Sequence, residues 1–389
     1  MNLNRVASKK DEADFLEVHV EINRSNPNWI RPLDNDVLSV FDSSKNRFLK
    51  HGEIIRWVLK DNDHRLIGRI AAFVNRNYKN KGDKVPVGCI GFFDCIDDQN
   101  AANTLFDKAQ KWLSEKGMEA MDGPINFGDR DKWWGLLVEG FHQPIYNMNY
   151  NPPYYQKLFE NYGFELFYNQ ICWSLEVASE SQQLDSKFYS SHEKYSKIPD
   201  FKVRHIRKNQ LPKFANDFST VYNKAWATHE GNKEIAPAHA LKLLKSINPV
   251  MDEKLIWFTY FKEEPIAMWV NLPDINQIIK YLNGKFGLWE KLKFYLLKIF
   301  GENRNFVGLV FGIVPEFQSQ GIDYFMIVEA EKVIKRSTSY KTLELFWQGD
   351  FNPKILNISK NLGGKQSRRL ITYRYLFDRT RKFERHPIL

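Results

Sequence analysis

A repeated segment constrains the fold of this chain more than any other feature of its sequence. Each copy starts with Asn-Pro and ends at a glycine, and the copies cover residues 151–163 and 352–363. Gly163 and Gly363 are therefore 200 residues apart. The recurrence predicts two copies of one structural unit, one in each half of the chain. An aromatic, strand-like run follows each copy, over residues 166–175 and 370–377.

The periodicity of apolar residues predicts the same order of elements in both halves. Strand-like segments are followed by an amphipathic helix and then by a further strand. Strands alternating with helices indicate an α/β layered class, with two units that each hold a mixed, twisted sheet flanked by helices. In the first half these elements are predicted at residues 53–59, 65–74, 85–96, 98–117 and 118–122. In the second half they are predicted at residues 254–261, 265–272, 305–314, 323–336 and 341–347.

A stretch rich in Ser, Glu, Gln and Lys separates the two halves. Residues 179–200 lack apolar periodicity and are predicted to form a linker. This places one domain at residues 1–178 and a second at residues 201–389. Apolar residues make up 43% of the chain and aromatic residues 15%, which is enough for two packed cores and excludes a disordered chain.

Composition also excludes several classes of protein. The chain has no apolar run of about 18 residues that could span a membrane, and its start lacks the apolar region of a signal peptide. Three cysteines cannot form a disulfide framework. Nine scattered histidines, without His-Glu-x-x-His or Cys-x-x-Cys spacing, indicate no metal site. We expect a soluble, cytoplasmic protein.

The net charge of +9 is the one feature of composition that could suit a nucleic-acid partner. Lysine and arginine are interspersed with acidic residues along the chain, however, and only the C-terminal end holds a basic cluster. This spread indicates a solvated basic surface, and a nucleic-acid partner is not expected.

A glycine-containing turn in the second half carries the clearest sign of chemistry. The strand predicted at 305–314 runs into residues 318–321, whose sequence is Gln-Ser-Gln-Gly, and a helix follows from about Asp323. Such a turn at a helix N-terminus presents free main-chain N–H groups and the positive end of the helix dipole to a pyrophosphate.

This turn resembles the acetyl-CoA signature of the GNAT (acyl-CoA N-acyltransferase) superfamily, in which Arg or Gln is followed by two residues, Gly, one residue, and Gly or Ala. A strand at 343–347, Asn352 and a helix that ends near Gly363 extend the resemblance over residues 200–378. It implies that the second unit binds acetyl-CoA or another acyl-CoA, with the thioester carbonyl held by the main-chain amides of residues 313 and 314. The residues implied to bind it are Ile313, Val314, Gln318, Ser319, Gln320, Gly321, Ile322 and Asn352.

The first half is similar to a GNAT unit that has lost this cofactor site. Its long strand runs into Asp97 and Asp98 in place of a glycine turn. These carboxylates would cap the following helix themselves and repel a pyrophosphate. The chain is therefore identified as a tandem GNAT protein of a bacterial type with a divergent N-terminal unit.

Two positions depart from the pattern of the family. Many members use a tyrosine on the last helix as general acid, but Ser359 stands there in the second unit and Phe159 in the first. Asp323 replaces a glycine or alanine, and a carboxylate beside phosphates is unfavourable unless it points away. A water molecule or a substrate group could serve as the acid, and phosphate binding needs only the main-chain amides.

Acyl transfer to an amine needs a base, and Glu344 is the candidate. A carboxylate buried between Leu343 and Leu345 would have a raised pKa, which suits a general base. The alternative is that Glu344 faces solvent or pairs with a lysine.

The loop at residues 122–135 combines turn residues, charges and two adjacent tryptophans. Loops of this composition can line a substrate cleft, and we expect acceptor contacts here. The alternative is a packed connection whose tryptophans belong to the core. The predicted substrate contacts are Asp129, Arg130, Trp133 and Trp134.

A helix predicted over residues 285–300 has Leu288, Leu292 and Ile299 on one face, with lysines elsewhere. This pattern favours a helix that is inserted between two strands and packed on the domain. A lid or a membrane-surface helix is the alternative.

The leading hypothesis is an acyl-CoA-dependent N-acyltransferase, with acetyl as the expected acyl group, acting on a small-molecule or peptide amine. The second unit would bind acyl-CoA and the first would shape the acceptor site.

Two alternatives stay open. One is an aminoacyl transferase similar to the Fem-type tandem GNAT proteins, which use aminoacyl-tRNA; its tRNA binding would weaken steeply with salt. The other is a GNAT-fold binding module without catalysis, which the missing tyrosine and Asp323 favour.

Overall fold

The computed structural model describes residues 1–177, 184–226 and 234–389, apart from the side chain of residue 226. The first half contains helices α1 (Lys9–Asn23), α2 (Asp34–Ser39), α3 (Gln99–Glu115) and α4 (Tyr155–Tyr162). Its strands are β1 (Asn2–Arg5), β2 (Gly52–Lys60), β3 (Leu66–Asn75), β4 (Val87–Cys95), β5 (Ala120–Gly123), β6 (Leu136–Glu139) and β7 (Glu165–Glu176).

The second half repeats this arrangement with an added helical insertion between two strands. Its helices are α5 (Ser186–Ser196), α6 (Leu211–Trp226), α7 (Pro237–Ile247), α8 (Asn276–Ile279), α9 (Leu288–Phe300), α10 (Ile322–Ser337) and α11 (Pro353–Asn361). Its strands are β8 (Phe201–His205), β9 (Ile256–Phe261), β10 (Glu264–Pro273), β11 (Asn305–Ile313), β12 (Thr342–Gly349) and β13 (Lys365–Leu376). Among the helices of the described ranges, none is both long and apolar enough to cross a membrane.

The two halves are copies of one unit, as the repeated segment predicts. In each half a parallel pair of neighbouring strands, β4 with β5 and β11 with β12, is joined through a long helix. The repeated segments form α4 and α11, and each helix is followed by a strand of the central sheet. Gly163 and Gly363 both have the left-handed φ that ends such helices, at 107° and 82°.

The halves exchange their last strands within one sheet. Its strand order is β1-β2-β3-β4-β5-β13-β7-β12-β11-β10-β9-β8, with β6 also paired to β13. The first half is therefore completed by β13, where Asp122 pairs with Arg374, and the second by β7, where Glu344 pairs with Ser174. A division of the chain at residues 179–200 follows the sequence repeat but cuts across this sheet.

The stretch predicted to be a linker contains a helix that the sequence pattern does not predict. It contains α5, whose N-cap Asp185 accepts a hydrogen bond from the amide of Lys187. Phe188 and Tyr195 lie seven residues apart on the inner face of α5 and are buried against α10. Two aromatic anchors are enough to dock a short helix, although they do not produce a regular apolar period in the sequence.

Candidate functional site

Strands β11 and β12 separate part of the way along their length. Their parallel pairing covers four residue pairs, from Asn305 with Thr342 to Gly308 with Leu345, although both strands continue beyond it. A cavity of about 570 Å³ lies beside this separation, bounded by α10 and α11. Its apolar lining residues are Leu175, Val177, Leu184, Trp269, Phe306, Phe311, Ile327, Ile334, Leu343, Leu345, Ile355, Ile358 and Leu362.

The main chain of β11 offers hydrogen-bonding groups to this separation. The amide of Val314 donates to the carbonyl of Ile266 on the β10 side at 2.9 Å. Successive amides of a strand in an antiparallel pair point to opposite sides of that strand. The amides of Phe311 and Ile313 therefore point away from β10 and towards the side of β12, in the part of β11 that is no longer paired with β12. The role predicted for the amide of Ile313, holding the thioester carbonyl, stays a prediction. The prediction for Val314 is wrong, since its amide is already bonded within the sheet.

The turn between β11 and α10 has the shape that its sequence predicts. Ser319 and Gly321 adopt left-handed φ angles of 59° and 82°, and α10 begins at Ile322, so its first amides have no partner within the helix. The glutamine side chains bond the turn itself: Gln318 donates to the carbonyl of Ile313 at 3.0 Å, and Gln320 to that of Glu316 at 2.6 Å. These bonds hold the two amide side chains against the main chain, so their predicted cofactor contacts stay predictions.

Helix α5 covers this turn from outside. The hydroxyl of Tyr195 donates to the carbonyl of Gln320 at 2.8 Å, and a Cβ added to Gly321 would lie 2.5 Å from the Oγ of Ser191. Lys187, one turn earlier, places its ammonium group 5.7 Å from the ring of Tyr324, in the first turn of α10. Lys187 is a cation beside the predicted phosphate position, and sequence reasoning missed it because it lies in the supposed linker.

Asp323 also lies in the first turn of α10. Burial raises the pKa of its carboxyl group, while the main-chain amides of Tyr324 and of Asp323 itself, and the charge of Lys187, act in the opposite direction. The carboxylate thus uses part of the positive end of the helix, and Lys187 compensates part of its charge. The phosphate contact predicted for this turn stays a prediction.

Helix α11, which contains Ser359 and is preceded by Asn352, closes the cavity on the β12 side. The side chain of Asn352 caps the helix by accepting from the amide of Ile355 at 3.4 Å, so its predicted cofactor contact stays a prediction. The Oγ of Ser359 lies 2.8 Å from Nε2 and 3.0 Å from Oε1 of Gln348 on β12. The side chains of Ser359 and Gln348 both line the cavity. The indole of Trp173 fixes the Gln348 amide by donating a hydrogen bond to its Oε1 at 3.0 Å.

Glu344 lies on the opposite face of the sheet from the cavity, because its neighbours Leu343 and Leu345 point into the cavity. It is 6% exposed, and Ser367 donates to its Oε2 at 3.1 Å. Burial raises the pKa of Glu344, with the charge of Arg368 acting against the shift. Burial and the raised pKa are confirmed, and the alternative of a solvent-facing carboxylate is not what the structure has. Its role as a base stays a prediction.

Two basic side chains adjoin Glu344. The buried guanidinium of Arg368 donates to the carbonyls of His142 and Gln143 at 2.9 and 2.6 Å, which fixes the chain of the first unit against the second. The Nε2 of half-exposed His142 is 3.9 Å from Oε1 of Glu344. Burial and the nearby Arg368 lower the pKa of His142 to about 4, so its imidazole is neutral near pH 7.

The loop at residues 122–135 packs into the protein. Trp133 and Trp134 are 9% and 4% exposed and belong to an aromatic core cluster, so a packed connection describes both tryptophans. Asp129 is paired with Arg47 on the surface at 3.1 Å. The carbonyl of Arg130 accepts from the indole of Trp347 on β12 at 2.9 Å, so the loop contacts the second unit outside the cavity lining. Acceptor contacts by Asp129 and Arg130 stay a prediction.

Aromatic side chains fill the equivalent place in the first unit. Asp98 caps α3 as predicted, and its Oδ1 accepts from the amides of Asn100 and Ala101 at 2.7 and 3.0 Å. Phe106 stacks on Phe93 with ring centroids 4.7 Å apart, and the ring of Phe159 lies 4.9 Å from that of Phe106. Aromatic rings therefore occupy the space between strands and helices that is open in the second unit. Among the described residues, no cluster of three or more His, Cys, Asp or Glu side chains could hold a metal ion.

Comparison with known proteins agrees with this architecture. No protein-family model matches the sequence. The bacterial ceramide synthase of Caulobacter vibrioides is 26% identical over 357 residues, which cover 90% of this chain and 91% of that protein. Protein YghO of Escherichia coli is 26% identical over 379 residues, covering 94% of this chain and 93% of that one.

A tandem GNAT protein from the clavulanic acid biosynthesis pathway superposes with a TM-score of 0.54 at 8% identity, over 97% of this chain and 98% of that structure. The chain has the tandem GNAT fold.

Proposed function

We propose that this protein is an N-acyltransferase that transfers a long acyl chain from acyl-CoA to the amino group of a lipid amine. The observation that carries the proposal is the apolar cavity beside the separated strands β11 and β12. The similarity to a protein named ceramide synthase supports the same class, because a ceramide is an N-acylated long-chain amino alcohol.

The donor site uses the open main chain of β11 and the turn that follows it. In this proposal the thioester arm lies along the amides of Phe311 and Ile313, which point into the separation. The pyrophosphate lies at the turn of residues 318–321, against the first amides of α10 and Lys187. The acyl chain enters the apolar cavity. A volume of about 570 Å³ with a mainly apolar lining favours a longer acyl group than the acetyl expected from the sequence.

The acceptor approaches from the other face of the sheet. Glu344 lies on that face near the place where the pairing of β11 with β12 ends. Its partner on β11, Val307, belongs to an apolar cluster that also contains Phe346 and Trp29. In this proposal the hydrocarbon part of the amine packs beside the partly buried members of this cluster, Phe346 and Trp29. His142, which is 48% exposed, lies 3.9 Å from the carboxylate of Glu344.

The reaction follows from these positions. Glu344 accepts the proton of the acceptor ammonium group, and the free amine nitrogen attacks the thioester carbonyl carbon. The C–N bond forms first and gives a tetrahedral intermediate, whose oxyanion accepts a hydrogen bond from the amide of Phe311 or Ile313. The nitrogen of this intermediate releases its second proton to solvent as the C–S bond breaks and CoA leaves as the thiolate. Ser359, held by Gln348, stands where related enzymes have tyrosine and hydrogen-bonds the leaving thiolate, which takes a proton from solvent.

The experiment is an acyl-transfer assay with palmitoyl-CoA or acetyl-CoA as donor and sphinganine as acceptor. We expect release of CoA thiol and formation of the amide with palmitoyl-CoA, slower turnover with acetyl-CoA, and loss of turnover in Glu344→Gln. Glu264→Gln, at an exposed position on β10, is the matched control and should leave turnover unchanged. Faster transfer of acetyl, or transfer that survives Glu344→Gln, would contradict the proposal.

A further inference from the structure

Helix α9 presents its apolar face to solvent. At 100° per residue the exposed apolar side chains occupy one continuous arc of about 140°. The helix is inserted between β10 and β11 and packed on the domain, as expected, but it packs through Phe294 on the other face. Residue spacing shows which side chains share a face and not what that face contacts. The exposed apolar residues are Leu288, Trp289, Leu292, Tyr295, Leu296, Ile299 and Phe300, and their exposure ranges from 48% to 85%.

The inner face fixes α9 to the body of the protein. Phe294 is buried against Ile279 and Leu282 beside α8 and against Ile30 and Leu33 of the first unit. The helix start is also capped, since the amide of Gly287 donates to the carboxylate of Glu290. An anchored helix of this kind is a fixed surface feature and not a lid.

Lysines border the apolar arc on both sides. On the helix surface Lys293 follows one edge of the arc, and Lys291 and Lys298 follow the other. Lys293 donates to the carbonyl of Tyr281 at 2.8 Å, and Lys298 donates to that of Pro249, so neutral main-chain groups hold these ammonium groups in place. Residues 280–301 contain five lysines and one glutamate, a net charge of +4.

We infer that α9 binds flat against the surface of a lipid bilayer that carries anionic headgroups. The apolar arc would enter the boundary between headgroups and acyl chains, with Trp289 and Tyr295 at the interface and the lysines against phosphates. The helix has 13 residues and is about 20 Å long, which is too short to cross a bilayer, so it lies on the surface.

A second copy of this chain is a poorer occupant of the same face. Symmetric pairing would bring the lysine borders of both copies together, and like charges across an interface are unfavourable. Anionic headgroups complement the lysines. The inference stands on the geometry and charge of α9 alone, independently of the proposed function.

Vesicle flotation with the full-length protein tests this inference without any acyl donor or acceptor. The vesicles are made of phosphatidylcholine alone or of phosphatidylcholine mixed with phosphatidylglycerol. We expect flotation with the mixed vesicles, weaker binding to phosphatidylcholine alone, and a decrease with added salt. The variant Trp289→Glu/Phe300→Glu should bind at least about tenfold more weakly.

The matched control is Ile388→Glu/Leu389→Glu, which changes two exposed apolar residues at the C-terminus. It should float like the unchanged protein. Circular dichroism and sedimentation velocity accompany each variant. Failure of the unchanged protein to float with anionic vesicles, or equal flotation of the α9 variant, would overturn the inference. So would a dimer that the α9 variant dissociates without any vesicle binding.

Discussion

Arg374 on β13 and Asp122 on β5 form a buried, two-point ion pair across 252 residues of sequence. Nε of Arg374 lies 2.6 Å from Oδ1 of Asp122, and Nη2 lies 2.8 Å from Oδ2. Arg374 also pairs with Asp83 at 2.8 Å, and the hydroxyl of Tyr78 donates to Asp122 at 2.7 Å. The pair lies where the last strand of the chain completes the sheet of the first half, so it ties the stability of each half to the other.

Arg374→Met should destabilise the protein strongly. The substitution leaves Asp122 and Asp83 buried without their cation, and breaking a buried pair in this way costs about 3–5 kcal/mol. Urea unfolding at neutral pH measures the change. Arg381→Met is the matched control, because Arg381 is half-exposed and its pair with Glu119 should contribute no more than about 1 kcal/mol. Equal losses in the two variants would contradict a structural role for the exchanged strand.

Gly321→Ala should weaken acyl-CoA binding and also lower stability. A non-glycine residue at a φ of 82° costs about 1–2 kcal/mol, and the new Cβ would also press on Ser191. Gly117→Ala is the matched control, since Gly117 has a φ of 79° with no atom within 4 Å of the added Cβ. Calorimetric titration with acyl-CoA should show weaker binding in the Gly321 variant alone. The same affinity in both variants would remove the turn from the donor site.

Acyl transfer should depend on the ionisation of Glu344. Only the carboxylate can accept a proton, and burial raises its pKa above the ordinary value of 4.5. The rate should therefore rise with pH across a range higher than an exposed glutamate would give, and a pH–rate profile measures it. A profile of Glu344→Gln that keeps both the rate and the acid limb of the unchanged protein would exclude Glu344 as the base.

The raised pKa of Glu344 also makes the stability of the protein depend on pH. The direction of this dependence is opposite to that of a carboxylate whose pKa is lowered by a cationic partner. A carboxyl group whose pKa is raised on folding stabilises the protein below its unfolded pKa, and this contribution is lost as pH rises through the folded pKa. The unfolding free energy of the unchanged protein should thus fall, relative to Glu344→Gln, as pH rises from about 4 towards neutrality. An unfolding free energy of the unchanged protein that rises relative to that of Glu344→Gln over this range would contradict the assignment.

Much of the fold could be predicted from the sequence because it depends on local pattern. The apolar period of α3 and the strands on either side of it were expected within a few residues of where they lie. The exchange of β7 and β13 could not be predicted. Both strands follow the same repeated segment and have similar aromatic patterns, so either one could complete either half, and only tertiary packing decides between them.

Parts of the site escaped sequence reasoning for related reasons. The direction of the Val314 amide depends on the register of β10 with β11, which includes an irregularity between Val270 and Asn271. The position of Lys187 depends on the docking of α5 by Phe188 and Tyr195, which form no regular period. The burial of Glu344 could be predicted because a carboxylate between two leucines on a strand is unusual at any register.

The most direct test of the central claim is the affinity of the protein for acyl-CoA as a function of acyl length, measured by titration calorimetry with CoA, acetyl-CoA and octanoyl-CoA. Burial of each methylene group in the cavity should contribute about 0.8 kcal/mol, or about fourfold in affinity. We predict that octanoyl-CoA binds far more tightly than acetyl-CoA and that acetyl-CoA binds little better than CoA. Equal affinities for octanoyl-CoA and acetyl-CoA, or no binding of either, would contradict the assignment of the cavity between β11 and β12 as an acyl-chain site.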